Sequence, residues 1–274
     1  LSHVKEALAA GVRQVIFGGE SFSHRPISWK DYEEAVRLCH EAGAEILFPT
    51  PRVVREKYQA RAQAQLRKLL TLLPDGVVLE YAGAIEWVKG EESLAVWAGP
   101  SMNIFNREAE KEIENLGFSG CFLSQELTIP QIRYIAKGSD IPLGAYVYGR
   151  TEMMISEYCA INAVMGDKDK KHCPMYCMRG RFALKDGEGR RFPIHTDEWC
   201  HMHIANCHVL DMRPYFDELK KAGLAALTLD VRGNEGSILS LCKDACDILS
   251  GWKEAPGAGR GDDVTRGHFF RGVL

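Results

Sequence analysis

Four cysteines, Cys159, Cys173, Cys177 and Cys200, follow one another with the spacing C-x13-C-x3-C-x22-C. Thiolate sulfur is soft and anionic, so four such side chains converging on one point suit zinc or an iron–sulfur cluster. Structural zinc usually takes two close pairs, and here only Cys173 and Cys177 are close, which leans toward a cluster. Cys207 competes with Cys200 for the fourth position. His172, His201, His203 and His208 crowd the same region, so a mixed Cys/His zinc site stays open as the alternative. The bland reading is a set of scattered buried thiols, since free cysteine is often simply buried. Cys39, Cys121 and the i, i+4 pair Cys242 and Cys246 read as core packing on that ground.

A second group of chemical residues lies at the ends of apolar runs. Glu20, Thr50, Arg52, Glu80, Tyr81, Glu126, Tyr148, Arg150, Asp230 and Arg232 each follow a short β-rich stretch. In a barrel such positions ring one mouth, and guanidinium groups there can grip a carboxylate bidentately. Glu20, Arg52, Glu126, Tyr148, Arg150 and Arg232 are the candidate catalytic set. Each taken singly reads equally well as half of a rim salt bridge.

The elements that must position these residues alternate. Apolar β-runs at 12–17, 44–48, 77–80, 94–98, 120–123 and 143–147 are separated by helical stretches, among them 29–42, 53–73, 108–116 and 129–136. Ala42-Gly43, Leu116-Gly117 and Ala222-Gly223 place glycine C-caps just ahead of buried parallel strands. A seventh strand at 225–231 follows a helix at 213–222, and a last helix covers 237–249. The chain opens on a helix at 2–10, so the strand expected before it is missing, and the sequence reads as starting inside a larger protein. Adding that strand gives eight βα units. The predicted fold is therefore α/β, a TIM-like (β/α)8 barrel lacking its first strand, with a doubly wound open sheet as runner-up.

Residues 1–149 supply the first units of the barrel and 211–252 the last, while 150–210 form a cysteine-rich insert after the sixth strand. Inside it, 181–185 and 190–194 flank Asp186-Gly187-Glu188-Gly189 as a β-hairpin. An excursion of this length is too long for an ordinary connection and points to function. Residues 253–274 read as a linker followed by the tail T-R-G-H-F-F-R-G.

The bulk numbers exclude several classes. A chain of 274 residues, 46% hydrophobic and 26% charged, is an ordinary globular protein with room for a full core. A formal charge of -3 rules out a general electrostatic glove for nucleic acid, so any RNA contact must be local. No apolar run approaches the roughly 20 residues of a membrane span. Nine cysteines without a secretory leader fit reduced thiols in the cytoplasm. Gly18-Gly19 lacks the continuation of a dinucleotide loop, and neither H-E-x-x-H nor G-x-S-x-G occurs.

Several segments together resemble one family. They are G-G-E-S-F, Y-G-R-x-E-M-M-I-S-E-Y-C, C-P-M-Y-C, F-A-L-K-D, T-D-E-W-C, L-K-K-A-G-L-A-A-L-T-L-D-V-R and T-R-G-H-F-F-R-G. The combination resembles the collagenase-like peptidase family U32, in the C-terminal half of its longer members. The resemblance implies a TIM-barrel-like domain with a four-iron, four-sulfur cluster on Cys159, Cys173, Cys177 and Cys200. It further implies oxygen-independent hydroxylation of an RNA base or a quinone-like ring, with prephenate as oxygen source. Arg52, Arg150 and Arg232 would then hold that dicarboxylate. An N-terminal half or a partner chain would complete the enzyme.

Two alternatives accompany this reading. One is a collagenase-like peptidase, the activity for which the family was first labelled. The other is a non-catalytic, metal-stabilised scaffold presenting a surface to RNA or protein, with basic residues at 168–171 and 179–191 facing phosphate. The chain departs from the family where Tyr148-Gly149 replaces the common H-G and Glu152 stands where some members have cysteine.

Overall fold

A computed structural model describes residues 1–22, 24–166, 173–234, 236–256 and 263–273. The basic run 168–171, His172 and part of the expected linker, 257–262, lie outside the described residues. Helix α1 (Ser2–Ala9) leads into strand β1 (Gln14–Ile16). The alternation continues with α2 (Trp29–Glu41), β2 (Glu45–Pro49), α3 (Glu56–Leu70), β3 (Gly76–Leu79), β4 (Ala95–Ala98), α4 (Arg107–Asn115), β5 (Gly120–Phe122), α5 (Ile129–Ala136) and β6 (Leu143–Gly149). Strand β7 (Glu152–Ser156), α6 (Ala160–Met165), β8 (Phe182–Lys185), β9 (Arg191–Thr196) and β10 (Met202–Ala205) carry the chain through the cysteine region. Then come β11 (Val209–Asp211), α7 (Phe216–Lys221), β12 (Ala226–Leu229), α8 (Leu239–Leu249) and β13 (Val264–Thr265).

Local chemistry sets the helix ends. The Ser28 and Asn106 side chains accept from the backbone N–H of Asp31 and Ala109, and Thr128 with Gln131 forms a capping box on α5. Gly43 and Gly223 follow α2 and α7 at φ 65° and 102°, a left-handed turn that only glycine adopts cheaply. The helix expected over 53–73 is trimmed to α3. The one expected over 213–222 opens as a 3-10 turn around Pro214 before α7 begins. Between β3 and β4 the connection is a 3-10 turn, Ala82–Trp87.

Strands β1 to β6 pair in sequence, all parallel, and β12 adds to β6 in the same direction. Side chains alternate across a strand, so each of these short runs serves two cores. Ile46 and Phe48, Val77 and Leu79, and Val96 and Ala98 face the helices. Leu47, Val78, Trp97 and Phe122 face inward, with Ile16, Tyr146 and Ala226 around them. Burial on both faces is why the strands read as continuous apolar runs.

The fold is α/β with a curled, mostly parallel half-barrel. Among the described residues the sheet does not close, because β1 pairs only with β2 and β12 only with β6. The helical layer does close, as α1 packs on α8 through Ala7, Ile238 and Cys242. Between the two sheet edges runs a cavity of about 1520 Å³ that opens at the mouth.

The cysteine region folds as a separate antiparallel sheet in the order β7-β10-β9-β8, with β8 and β9 joined as a hairpin. It has its own apolar cluster of Ile161, Ile194, Met202 and Ile204, and it meets the mouth through the polar contacts described below. The tail is structural. Phe269 is buried in the main core, and its carbonyl accepts from Ile129 N at the start of α5. Among the described residues no helix is long and apolar enough to cross a membrane.

Candidate functional site

The inward-facing positions continue two residues beyond the apolar layer and become polar. Val78 is succeeded by Glu80, Trp97 by Gly99, Phe122 by Ser124 and Tyr146 by Tyr148. Glu80 is buried, and the missing side chain at Gly99 makes the space for its carboxyl group; a Cβ there would collide with it. Its Oε2 accepts from Ser101 N at 3.1 Å, and its own N–H donates to Thr50 Oγ1 at 3.0 Å. Burial pushes the Glu80 carboxyl up, against a partial pull down from Ser101, so it is held toward the protonated form. Burial, with Glu80 nearby, also raises the Tyr146 phenol beyond its ordinary range.

Arg52, just past β2, ties this mouth to the antiparallel sheet. Its Nε donates to Glu20 Oε2 at 2.7 Å and its backbone N–H to Glu20 Oε1 at 2.8 Å. The outer edge of the same guanidinium grips Glu152 on β7, Nη2 donating to Oε2 at 2.9 Å and Nη1 to Oε1. Burial alone would lower Arg52, but Glu20 and Glu152 outweigh both that and the repulsion from Arg232, so it stays charged.

Glu152 also meets His203 of β10, Oε2 to Nδ1 at 2.8 Å, and the other ring nitrogen lies 3.1 Å from Asp197 Oδ2. An imidazole placed between two carboxylates donates from both nitrogens, which is the imidazolium form. Burial would lower His203, but Asp197 and Glu152 carry it up to about 9. Asp197 is fully buried. Burial would raise it, but it receives His201 N at 2.7 Å, Trp199 N at 3.0 Å and both histidine rings, and lies well below the usual carboxylate range. Glu20, Arg52, Glu152, His203 and Asp197 thus form one unbroken series of alternating charges.

The structure brings together some of the sequence-predicted residues and leaves others at the rim. Glu20 and Arg52 are in direct contact. Half-exposed Arg232 bonds Asp230 at 2.8 Å, reaches within 3.8 Å of Glu20, and lies over the Phe22 ring. Arg150 is exposed, its Nη1 donating to the carbonyl of Asn206 at 3.0 Å and to that of Cys207. Tyr148 stands under the Arg213 guanidinium, and Glu126 is exposed; both line the cavity wall outside the charge series. Sequence reasoning missed Asp197, and it singled out His203 only as a possible zinc ligand and Glu152 only as a departure from the family, not as members of this series. A signal existed in His201-Met202-His203-Ile204, whose strict alternation marks a half-buried strand with a polar face.

Among the described residues, no three His, Cys, Asp or Glu side chains come together as a metal-holding group. Cys159 caps α6, its sulfur accepting from Asn162 N at 3.4 Å. With Cys177 it borders the same apolar cluster, a dry wall of the kind that suits a thiolate-ligated centre. Cys177 Sγ lies 3.1 Å from His24 Nε2. Cys200 is exposed at φ 65°, and Cys173 opens the described stretch after 172. The four thiols therefore do not form a closed ligand set here, and no chemical step is derived through a cluster.

Peptidase family U32 matches residues 1–243. The 23S rRNA 5-hydroxycytidine C2501 synthase of Escherichia coli (strain K12) is 26% identical over 191 residues, 68% of this chain and 29% of its own. The chain thus spans less than a third of that relative's length. Among solved structures, thiamine phosphate pyrophosphorylase from Pyrococcus furiosus is similar over 91% of this chain and 88% of its own, at 12% identity and TM-score 0.50. That likeness is one of fold. A U32 peptidase of known structure is similar over 50% of this chain and 61% of its own, at 16% identity and TM-score 0.42.

Proposed function

The chain belongs to peptidase family U32, and from that premise we propose that it is an enzyme, or the catalytic part of one, that hydroxylates an RNA base without molecular oxygen. The observation that carries this reading is the cavity of about 1520 Å³ beneath the thiol-bearing sheet, apolar along its length and ringed at the mouth by Glu20, Arg52, Glu80, Arg150 and Arg232. It is large enough for an extruded base beside a small co-substrate, and a base must leave its stack before chemistry on its ring. The relative named as an rRNA hydroxycytidine synthase supports the choice of an RNA base over a quinone.

We further propose that the oxygen donor is a dicarboxylate such as prephenate, held by Arg150 and Arg232. Arg52 was the other candidate, but both edges of its fork are held, by Glu20 and by Glu152, whereas Arg232 gives Asp230 its Nε–Nη2 edge, so Arg52 positions the mouth. Arg150 and Arg232 line the same cavity and are the more exposed. Cys159, Cys173, Cys177 and Cys200 are proposed to hold an iron–sulfur cluster, which when bound supplies one-electron transfer, with zinc as the alternative. Glu80, which burial pushes toward the protonated form, and the Tyr146 phenol would donate hydrogen bonds to the base or the donor without adding charge.

A peptidase is the second reading, favoured by one contact. Cys177 Sγ and His24 Nε2, 3.1 Å apart, have the spacing of a thiol nucleophile and its base. Mass spectrometry of nucleosides from RNA of cells with and without the gene tests the first reading. Loss of a hydroxylated base on deletion, restored by the wild-type gene and not by Arg232→Ala, is expected. Unchanged RNA, together with cleavage of gelatin by the purified protein that Cys177→Ser abolishes, would replace it with the second.

A further inference from the structure

We propose that the outer face of α3, together with Trp199, is a docking surface for single-stranded RNA, which carries the substrate strand past the mouth. The inference rests on the reading of an RNA base as substrate and adds where the rest of the strand lies. The charge balance of this segment is unlike that of the chain. Within residues 55–70, Arg55, Lys57, Arg61, Arg67 and Lys68 are set against Glu56 alone, in a protein of formal charge -3. Lys57 and Arg61 are i, i+4 neighbours on the exposed side of the helix, with Tyr58 between them.

The aromatic half of the surface comes from two distant parts of the sequence. The Tyr58 ring lies 5.6 Å from that of Trp199, which stands in the connection between β9 and β10. The Arg61 guanidinium covers the Trp199 ring at 4.4 Å, and Lys57 Nζ lies 4.6 Å from the Tyr58 centroid. The indole Nε1 is buried without a hydrogen-bond partner among the described residues. Cations alternating with flat rings are the pattern that holds unpaired nucleotides, the rings taking base faces and the cations phosphates. A duplex, whose bases are already stacked, offers such rings nothing.

The surface is joined to the mouth. Trp199 N donates to Asp197, which meets His203, and His203 meets Glu152 on the Arg52 fork. Arg55 pairs with Glu157, which also lies 3.7 Å from His201. A strand lying along α3 therefore passes beside the cavity into which one base would turn.

The test uses the full chain and a fluorescein-labelled, unstructured 15-nucleotide RNA, with binding read by anisotropy across a salt series. Lys57→Glu/Arg61→Glu should weaken binding about tenfold or more at ~0.1 M salt and flatten the log–log salt slope by about 1.4, two phosphate contacts' worth for single strands. Tyr58→Ala should weaken it about 5- to 100-fold, the range for one lost stacked base. The control Lys137→Glu/Lys243→Glu, with the same change in charge on remote helices, should bind as wild type, and circular dichroism checks folding of each variant. The assignment is overturned if the control loses as much affinity as the α3 variant, or if the α3 and Tyr58 variants bind unchanged. It is also overturned if polyglutamate competes as well as single-stranded RNA, which would mark a site for an acidic protein. Binding needs no turnover, so RNA held by this face with no hydroxylated base formed would overturn the hydroxylase reading alone. Hydroxylation by Lys57→Glu/Arg61→Glu at wild-type kcat/KM would overturn the docking surface alone.

Discussion

Arg52 and Glu152 meet as a two-pronged ion pair across the seam between the curled sheet and the antiparallel sheet, Nη2 2.9 Å from Oε2 with Nη1 on Oε1. The pair joins residues that stand 100 apart in the chain and are both largely buried, so it holds the thiol-bearing sheet to the mouth. Arg52→Ala would take the main cation from Glu20 and Glu152, leaving Glu20 the more distant Arg232 and Glu152 the His203 ring, and should cost about 3 kcal/mol. Glu152→Ala leaves Arg52 with Glu20 and should cost less, about 1–3 kcal/mol. Urea unfolding of the two variants and the double mutant should show a coupling of about 1–3 kcal/mol. Additive losses would mean that the seam is held elsewhere.

His203 makes stability depend on pH in a window set by its two carboxylates. Its folded pKa, about 9, lies above the ordinary histidine value of 6.5, so the contribution is complete below about pH 6.5 and is lost as pH rises through 9. Each pH unit of displacement is worth about 1.4 kcal/mol, so the unfolding free energy should fall by roughly 2–3 kcal/mol between pH 6.5 and 10. Asp197 shares the contact from the other side: its depressed pKa gives stability that is lost only as pH falls below about 4. Measured by denaturant titration across pH, His203→Gln should flatten the alkaline limb and, with one donor to Asp197 changed, weaken the acid limb to a smaller extent. An unchanged alkaline limb would mean that His203 is neutral.

Much of the fold was legible because it is local. Six parallel strands announce themselves as short apolar runs, some of them after A-G or L-G helix ends, and Glu20 and Arg52 stand out as charges at strand ends. What could not be read is pairing across distance. Glu152 has no local signal of importance. It matters because β7 pairs with β10 in a register that sets Ile155 opposite His203, and because β7 starts beside Arg52. Counting βα units likewise does not say whether the sheet closes; among the described residues β1 and β12 do not pair. Whether each arginine serves substrate or a rim salt bridge stays open in the sequence, which shows charges but not their partners; Arg52 is spent on Glu20 and Glu152.

Glu80 and Gly99 depend on each other. Gly99→Ala would drive a Cβ into the Glu80 carboxyl and should cost about 1–3 kcal/mol, as overpacking of a closed site does. Glu80→Gln keeps the shape and mimics the protonated acid. Burial raises the folded pKa of Glu80, so wild-type stability falls as pH rises above the unfolded carboxyl value near 4.3. The glutamine variant escapes that loss, and its melting temperature should gain on wild type between pH 4 and pH 7. A glutamine variant that loses ground over the same range would mean that Glu80 is ionised and paired.

The thiols make the last prediction. Cys159 and Cys177 share one apolar wall, Cys173 is tied to Cys177 by three intervening residues, and Cys200 lies on the β9–β10 connection beside Trp199. Cys207 stands apart at the start of β11, with its sulfur 3.2 Å from His208 Nδ1 and its carbonyl bonded by Arg150. Protein purified without oxygen should carry about four irons and matching sulfide per chain, with a broad visible band. Cys159→Ser, Cys173→Ser, Cys177→Ser and Cys200→Ser should each abolish that content, and Cys207→Ser should retain it. Retention by Cys200→Ser with loss in Cys207→Ser would move the fourth ligand to the base of β11. Stoichiometric zinc in place of iron would leave the cavity without an electron carrier, and the hydroxylase reading would then give way to the Cys177 and His24 pair.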